Sequence, residues 1–174
     1  MENSTTSSGL KTLVEVTKAD SRIKKAQLLP HPDSRLDSFL MKIHPISDEG
    51  VPYRDLTNLE TKKESLGQLI DKLNVTKSTR YQRTVEDTYC NVYSYDYCYF
   101  AKVYLPTIWW TDEALQRVLN GEEVEPVFGE TVDNIYSSAI HDWFGVWGAS
   151  FGWKKMTDLD EIQHKVNTEG GVGI

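Results

Sequence analysis

The sequence predicts an α+β fold in which helices outnumber strands, and three observations carry that reading. From Thr61 onward, apolar residues recur at helical spacing in one stretch after another. The runs that look extended, Leu13-Val14-Glu15-Val16 and Ser38-Phe39-Leu40-Met41-Lys42-Ile43, lie instead in an N-terminal region broken by Pro30, Pro32, Pro45 and Pro52. Aromatic residues concentrate after Tyr81, and all five tryptophans fall between Trp109 and Trp153, so most of the apolar core belongs to the second half.

Taken in order, residues 1–9 are Ser/Thr-rich with nothing to bury and read as a disordered arm, and residues 10–60 read as an irregular N-terminal region. Thr61-Lys62-Lys63-Glu64 has the form of a capping box, followed by Leu66, Leu69, Ile70 and Leu73, which predicts a helix over 61–74. Lys77 to Thr88 is polar and predicts a loop. A second helix starts near Cys90, with Tyr89, Tyr93, Tyr97, Phe100 and Tyr104 as an aromatic stripe that packs into the core, and Pro106 stops it. Thr111 then caps a helix through Leu115, Val118 and Leu119 that ends at Asn120-Gly121. Val132, Ile135, Tyr136, Ala139, Ile140, Trp143 and Trp147 form the next amphipathic helix, closed by Gly148. Phe151-Gly152-Trp153 suits a brief extended stretch, and Thr157 or Asp158 caps a last helix with Leu159, Ile162 and Val166 inward. Gly170-Gly171 turns the chain into what reads as the start of a strand. Residues 61–174 are thus expected to form one domain.

Composition narrows the function classes. A chain of 174 residues with 39% hydrophobic content fits one globular domain with a modest extension. Its formal charge of −7, with basic residues scattered, argues against nucleic acid as a partner. No apolar run approaches the roughly 20 residues that cross a bilayer, so membrane insertion is not expected, and the start lacks the basic and apolar regions of an export signal. Two cysteines cannot build a disulfide framework, and on one helix Cys90 and Cys98 would stand roughly 12 Å apart. There is no Cys-x-x-Cys pair, and His31, His44, His141 and His164 are isolated along the chain, so neither a metal nor any other cofactor is expected.

Cys90 is the residue whose position suggests chemistry. Free amides at a helix N-terminus favour negative charge, so they suit a thiolate nucleophile and an oxyanion on an attacked carbonyl alike. The plainer alternative is a small apolar residue in the core. Tyr89 and Asn91 flank the cysteine and are the candidates for lining a substrate pocket. Asp96, six residues on and about 240° around a helix, does not face the same cleft and reads as a structural partner of Arg80 or Arg83.

The surrounding residues resemble the nucleophile helix of NlpC-type papain-like cysteine peptidases and amidases, particularly phage and secreted cell-wall forms. The similarity rests on Thr88-Tyr89-Cys90-Asn91-Val92-Tyr93-Ser94-Tyr95-Asp96, Val103-Tyr104-Leu105-Pro106 and Trp109-Trp110. Arg80-Tyr81, Asp142-Trp143-Phe144, Phe151-Gly152-Trp153 and Gln163 to Asn167 before Gly170-Gly171 follow as landmarks in the same order, over about residues 66–174. The resemblance implies the helical half of a papain-like fold, Cys90 as nucleophile, peptidoglycan stem peptides as substrate, and action in the cell envelope. Without an export signal, a protein made in the cytoplasm would reach the envelope through lysis or a non-classical route.

It also implies a histidine on the first strands of an antiparallel sheet, which would fall beyond Ile174. Three arrangements answer that departure. The chain is a truncated or decayed copy, a second polypeptide completes the sheet, or the N-terminal region supplies it in a permuted order. In the last, His44, directly after Ser38 to Ile43, is the candidate general base; His141 and His164 read as surface or helix-packing residues. The competing functional expectation is a catalytically inactive remnant or binding module of the same fold.

Overall fold

The computed structural model describes residues 20–36, 38–47, 50–85 and 88–173. The predicted arm, the run Leu13 to Val16 and Ile174 lie outside the described residues. The elements are α1 (Phe39–Lys42), α2 (Leu59–Leu73), a 3-10 turn (Thr79–Tyr81), α3 (Cys90–Phe100), β1 (Ile108–Trp110), α4 (Asp112–Leu119), β2 (Val132–Asn134), α5 (Ser137–Val146), a second 3-10 turn (Gly148–Phe151) and α6 (Leu159–Glu169). Helices with a two-stranded antiparallel sheet place the chain in the α+β class. Trp109 is paired opposite Asp133, with Ile108 opposite Asn134 and Trp110 opposite Val132.

Helix α2 begins two residues earlier than its sequence signal. The capping box is formed by Asn58 and Thr61, not by Thr61 and Glu64: Asn58 Oδ1 accepts from the Thr61 amide at 3.0 Å, and Thr61 Oγ1 accepts from the Asn58 amide at 3.2 Å. Asn58→Ala should therefore lower stability by about 1 kcal/mol, read as a shift of the urea midpoint at unchanged slope. An unshifted midpoint would mean that solvent caps the helix equally well.

Two other boundaries move for identifiable reasons. Helix α3 stops at Phe100, well before Pro106, because Lys102 takes a left-handed conformation (φ 58°). Its amide bonds to the Tyr99 carbonyl and that of Val103 to the Cys98 carbonyl, which together form a Schellman closure. The stretch expected to be one helix over 132–147 is β2 followed by α5. Pairing with β1 takes Val132 to Asn134, and Tyr136 starts the helix from an extended backbone. Gly148 does not cap α5, whose C-cap is Trp147; a Cβ at Gly148 would lie 3.2 Å from the Phe144 ring, so the residue is small because the chain packs closely.

The run Ser38 to Ile43, expected as a strand, holds the helical turn α1. The carbonyls of Met41 and Lys42 both point to the Arg80 guanidinium, at 3.4 and 3.3 Å, and consecutive carbonyls of a strand point to opposite sides. Helix α6 is capped by Asp158 as one of the two expected residues, but Leu159 is 81% exposed, so the inward face there is reduced to Ile162 and Val166, both half-buried.

Two apolar clusters result. One gathers Ile108, Trp110, Val118, Val132, Trp143 and Trp147; the other gathers Leu66, Leu69, Leu73, Tyr81, Val92 and Phe100 around the packing of α2 on α3. The irregular segment before α2 feeds both, with Ile23, Ala26 and Ile43 in the first and Ile46 and Val51 in the second. It is pinned by polar bonds as well: the Tyr104 hydroxyl donates to the Ala26 carbonyl at 2.8 Å and accepts from its amide at 3.0 Å, and Trp110 Nε1 donates to the Lys24 carbonyl at 2.9 Å.

Candidate functional site

Cys90 is the first residue of α3 and its side chain is exposed. The preceding Tyr89 has a non-helical backbone, and its side chain does not cap the helix. Its carbonyl accepts from the amides of Val92 and Tyr93, at 3.1 and 3.3 Å, and the amides of Cys90 and Asn91 come earlier in the first turn, where a helix offers no internal acceptor. The first turn thus presents a thiol beside amides that have no partner among the described residues. Cys98, two turns on, is fully buried, and burial pushes its thiol up to about 12, so it is not a competing nucleophile.

Behind this turn lies a fully buried polar network. The Asp96 carboxylate receives Arg80 Nε at 2.6 Å and Nη2 at 3.1 Å, the Tyr81 hydroxyl at 3.0 Å and the Ile46 amide at 3.3 Å. Burial pushes the Asp96 carboxyl above its ordinary range, against the downward pull of Arg80, Tyr81 and the Ile46 amide. The remaining Arg80 donors go to main-chain carbonyls of Ser34, Met41, Lys42 and His44. One guanidinium therefore gathers the 34–44 segment onto α3. Of the two arginines considered as partners of Asp96, it is Arg80 that is engaged.

The same segment carries His44, whose Nδ1 lies 2.9 Å from the Leu29 carbonyl. A carbonyl only accepts, so Nδ1 carries the proton, and the neutral ring keeps its lone pair on Nε2. The His31 ring lies 5.3 Å away. No hydrogen bond joins Cys90 to His44 among the described residues. Asp96 marks the face of α3 that docks on this segment, and Cys90 lies about 240° around the helix from it. Tyr89 is drawn to the segment instead: the Lys42 ammonium sits 3.3 Å from its ring centroid, and Lys42 is only 1% exposed. Asn91 is half-buried beside the cysteine. His141 and His164 are both exposed, on α5 and α6. Among the described residues, no group of three or more His, Cys, Asp or Glu side chains could hold a metal ion.

Sequence reasoning did not find the buried Lys42 or its contact with Tyr89. A lysine between Met41 and Ile43 in an apolar run was the only signal, and it does not name a partner across the chain.

Fold and site together define an α+β chain with an exposed cysteine at the start of its central helix. Compared with known proteins, the chain matches no family model, no curated protein and no solved structure. No helix among the described residues is long and apolar enough to cross a membrane.

Proposed function

We propose that the chain is a cysteine-nucleophile hydrolase of amide bonds, an NlpC-type papain-like peptidase or amidase whose substrate is the peptidoglycan stem peptide. The observation that supports this reading is the exposed Cys90 thiol on the first turn of α3, which the Tyr89 side chain does not cap. In the proposed reaction the sulfur attacks the amide carbonyl, and the oxyanion is received by the first-turn amides. The C–N bond breaks, the amine leaves with a proton, and water hydrolyses the thioester. His44 is the proposed proton carrier, since its Nδ1–H is occupied by the Leu29 carbonyl and Nε2 is left as the basic atom. Tyr89 and Asn91 flank the attacked carbonyl, and the protein acts in the cell envelope.

Digestion of purified peptidoglycan tests it. Wild type should release peptide fragments, Cys90→Ala none, and His44→Ala should be slower by about 10²–10⁴-fold, the usual contribution of a general base. Equal product from wild type and Cys90→Ala would remove Cys90 as nucleophile. Iodoacetamide labelling near neutral pH gives an independent reading, because Cys90 reacting no faster than free cysteine sinks the enzyme assignment.

A second reading, an inactive remnant or binding module of the same fold, is favoured by one observation: no bond links the thiol to an imidazole among the described residues, and the face of α3 docked on the His44 segment is not the face bearing Cys90. A binding module would show neither product release nor accelerated labelling.

A further inference from the structure

Cys90, Ser94 and Tyr97 share one face of α3, and none of the three is buried. Tyr97 stands about 20° around the helix from the cysteine and roughly 10 Å along it. The Tyr93 and Tyr97 rings are stacked beside this face, with centroids 6.3 Å apart. At its far end is Arg54, whose amide donates to the Phe100 carbonyl at 2.8 Å. Burial pushes the Tyr97 phenol above its ordinary value and the positive charge of Arg54 pulls the other way, so the guanidinium lies near that phenol. No acceptor meets this guanidinium among the described residues. Its Nε is shut off from solvent and bonds to nothing, which leaves the Nη groups as the open end of a half-buried side chain. The adjacent carboxylate, Asp55, is turned to Thr57, from whose amide it accepts at 2.8 Å and from whose hydroxyl it also accepts. A cation beside a helix C-terminus has an ordinary electrostatic reason. That reason does not use the donors: the carbonyls of Tyr97, Cys98, Tyr99 and Phe100 all accept from main-chain amides, and none receives the guanidinium. A partly desolvated charge with a sealed, unpaired donor calls for an anion that the described residues do not supply.

We infer that the Arg54 guanidinium receives the terminal carboxylate of the substrate peptide on its two Nη groups, while the chain between runs over Tyr93 and Tyr97 to Cys90. The inference rests on the hydrolase reading of Cys90 and sets its substrate class: a peptide with a free carboxylate about three extended residues from the attacked carbonyl. A planar fork of N–H donors matches the two oxygens of a carboxylate, and the tyrosines offer an apolar ring with a polar edge to the peptide that lies between.

The experiment uses Cys90→Ala, which leaves the peptide intact, titrated by calorimetry with the stem tetrapeptide L-Ala-γ-D-Glu-L-Lys-D-Ala as the free acid and as the C-terminal amide. The free acid should bind about ten-fold more tightly, the scale of one charge-assisted pair. Arg54→Gln in the same background should bring the ratio of acid to amide affinity to about one, and Arg54→Lys should keep part of the preference, since the charge stays and the fork is lost. Lys154→Gln, at an exposed lysine elsewhere, should leave the ratio within about two-fold of its starting value. A purely structural role for Arg54 would weaken both forms alike and leave the ratio unmoved. The inference is overturned if neither form binds, if acid and amide bind equally, or if Arg54→Gln keeps the preference. Peptidoglycan digestion by the Cys90 protein reads the other claim. No product with the acid preference intact removes the hydrolase reading and supports the carboxylate site, and product without the preference does the reverse.

Discussion

Arg80→Leu should destabilise the fold by about 3–5 kcal/mol, the cost of removing one partner from a buried ion pair. Both side chains of the pair are fully buried, and among the described residues the substitution leaves the Asp96 carboxylate with only the Tyr81 hydroxyl and the Ile46 amide. It also strips the carbonyls of Ser34, Lys42 and His44 of their shared donor. Small domains have about 5–15 kcal/mol in total, so this is a large fraction of the whole. Urea denaturation measures it, and the double variant Arg80→Leu/Asp96→Leu should recover part of the loss because no unpaired charge remains buried. Amide exchange should localise the effect, rising first in the 38–47 segment that the guanidinium gathers. A loss below about 1 kcal/mol, the scale of an exposed pair, would show that water replaces the arginine at this site.

The second large effect is alkaline unfolding. Burial pushes the phenols of Tyr81, Tyr95 and Tyr104 well above their ordinary value, and the Cys98 thiol up to about 12. Each of these groups holds its proton to higher pH in the folded chain than in the unfolded one. The contribution of each is fully present below that group's ordinary value and is lost as pH rises through it toward the folded value. Three tyrosines titrating only in the unfolded state remove roughly 4 kcal/mol for each pH unit above about 10. Stability should therefore hold through neutral pH and collapse within one to two units or so above that range. Tyrosinate absorbance should then appear together with loss of helical circular dichroism, in one cooperative step. Gradual ionisation of all nine tyrosines with the helices intact would refute the burial argument.

Much of the helical half was legible because its signals are local. The Thr111 cap, the end of α4 at Leu119, the Asp158 cap and the placement of Cys90 on the first turn of α3 all follow from contacts within a few residues. Apolar spacing failed where a distant partner intervened. Val132 fits a helix as well as it fits the strand it occupies, and pairing with β1 decides between the two. Ser38 to Ile43 fits a strand until Arg80, more than 30 residues away in sequence, collects its carbonyls.

For the site, the chain alone yields a cysteine at a helix N-terminus, flanked by Tyr89 and Asn91, because that position depends only on local helix geometry. Tertiary structure decides that the thiol is exposed, and that the Tyr89 side chain rests on a buried ammonium and does not cap the turn. It also decides that His44 is held by Arg80 at its carbonyl and by the Leu29 carbonyl at its ring. Those outcomes depend on where one buried guanidinium pulls a segment with no regular period of its own. No spacing within that segment encodes the partner that orders it.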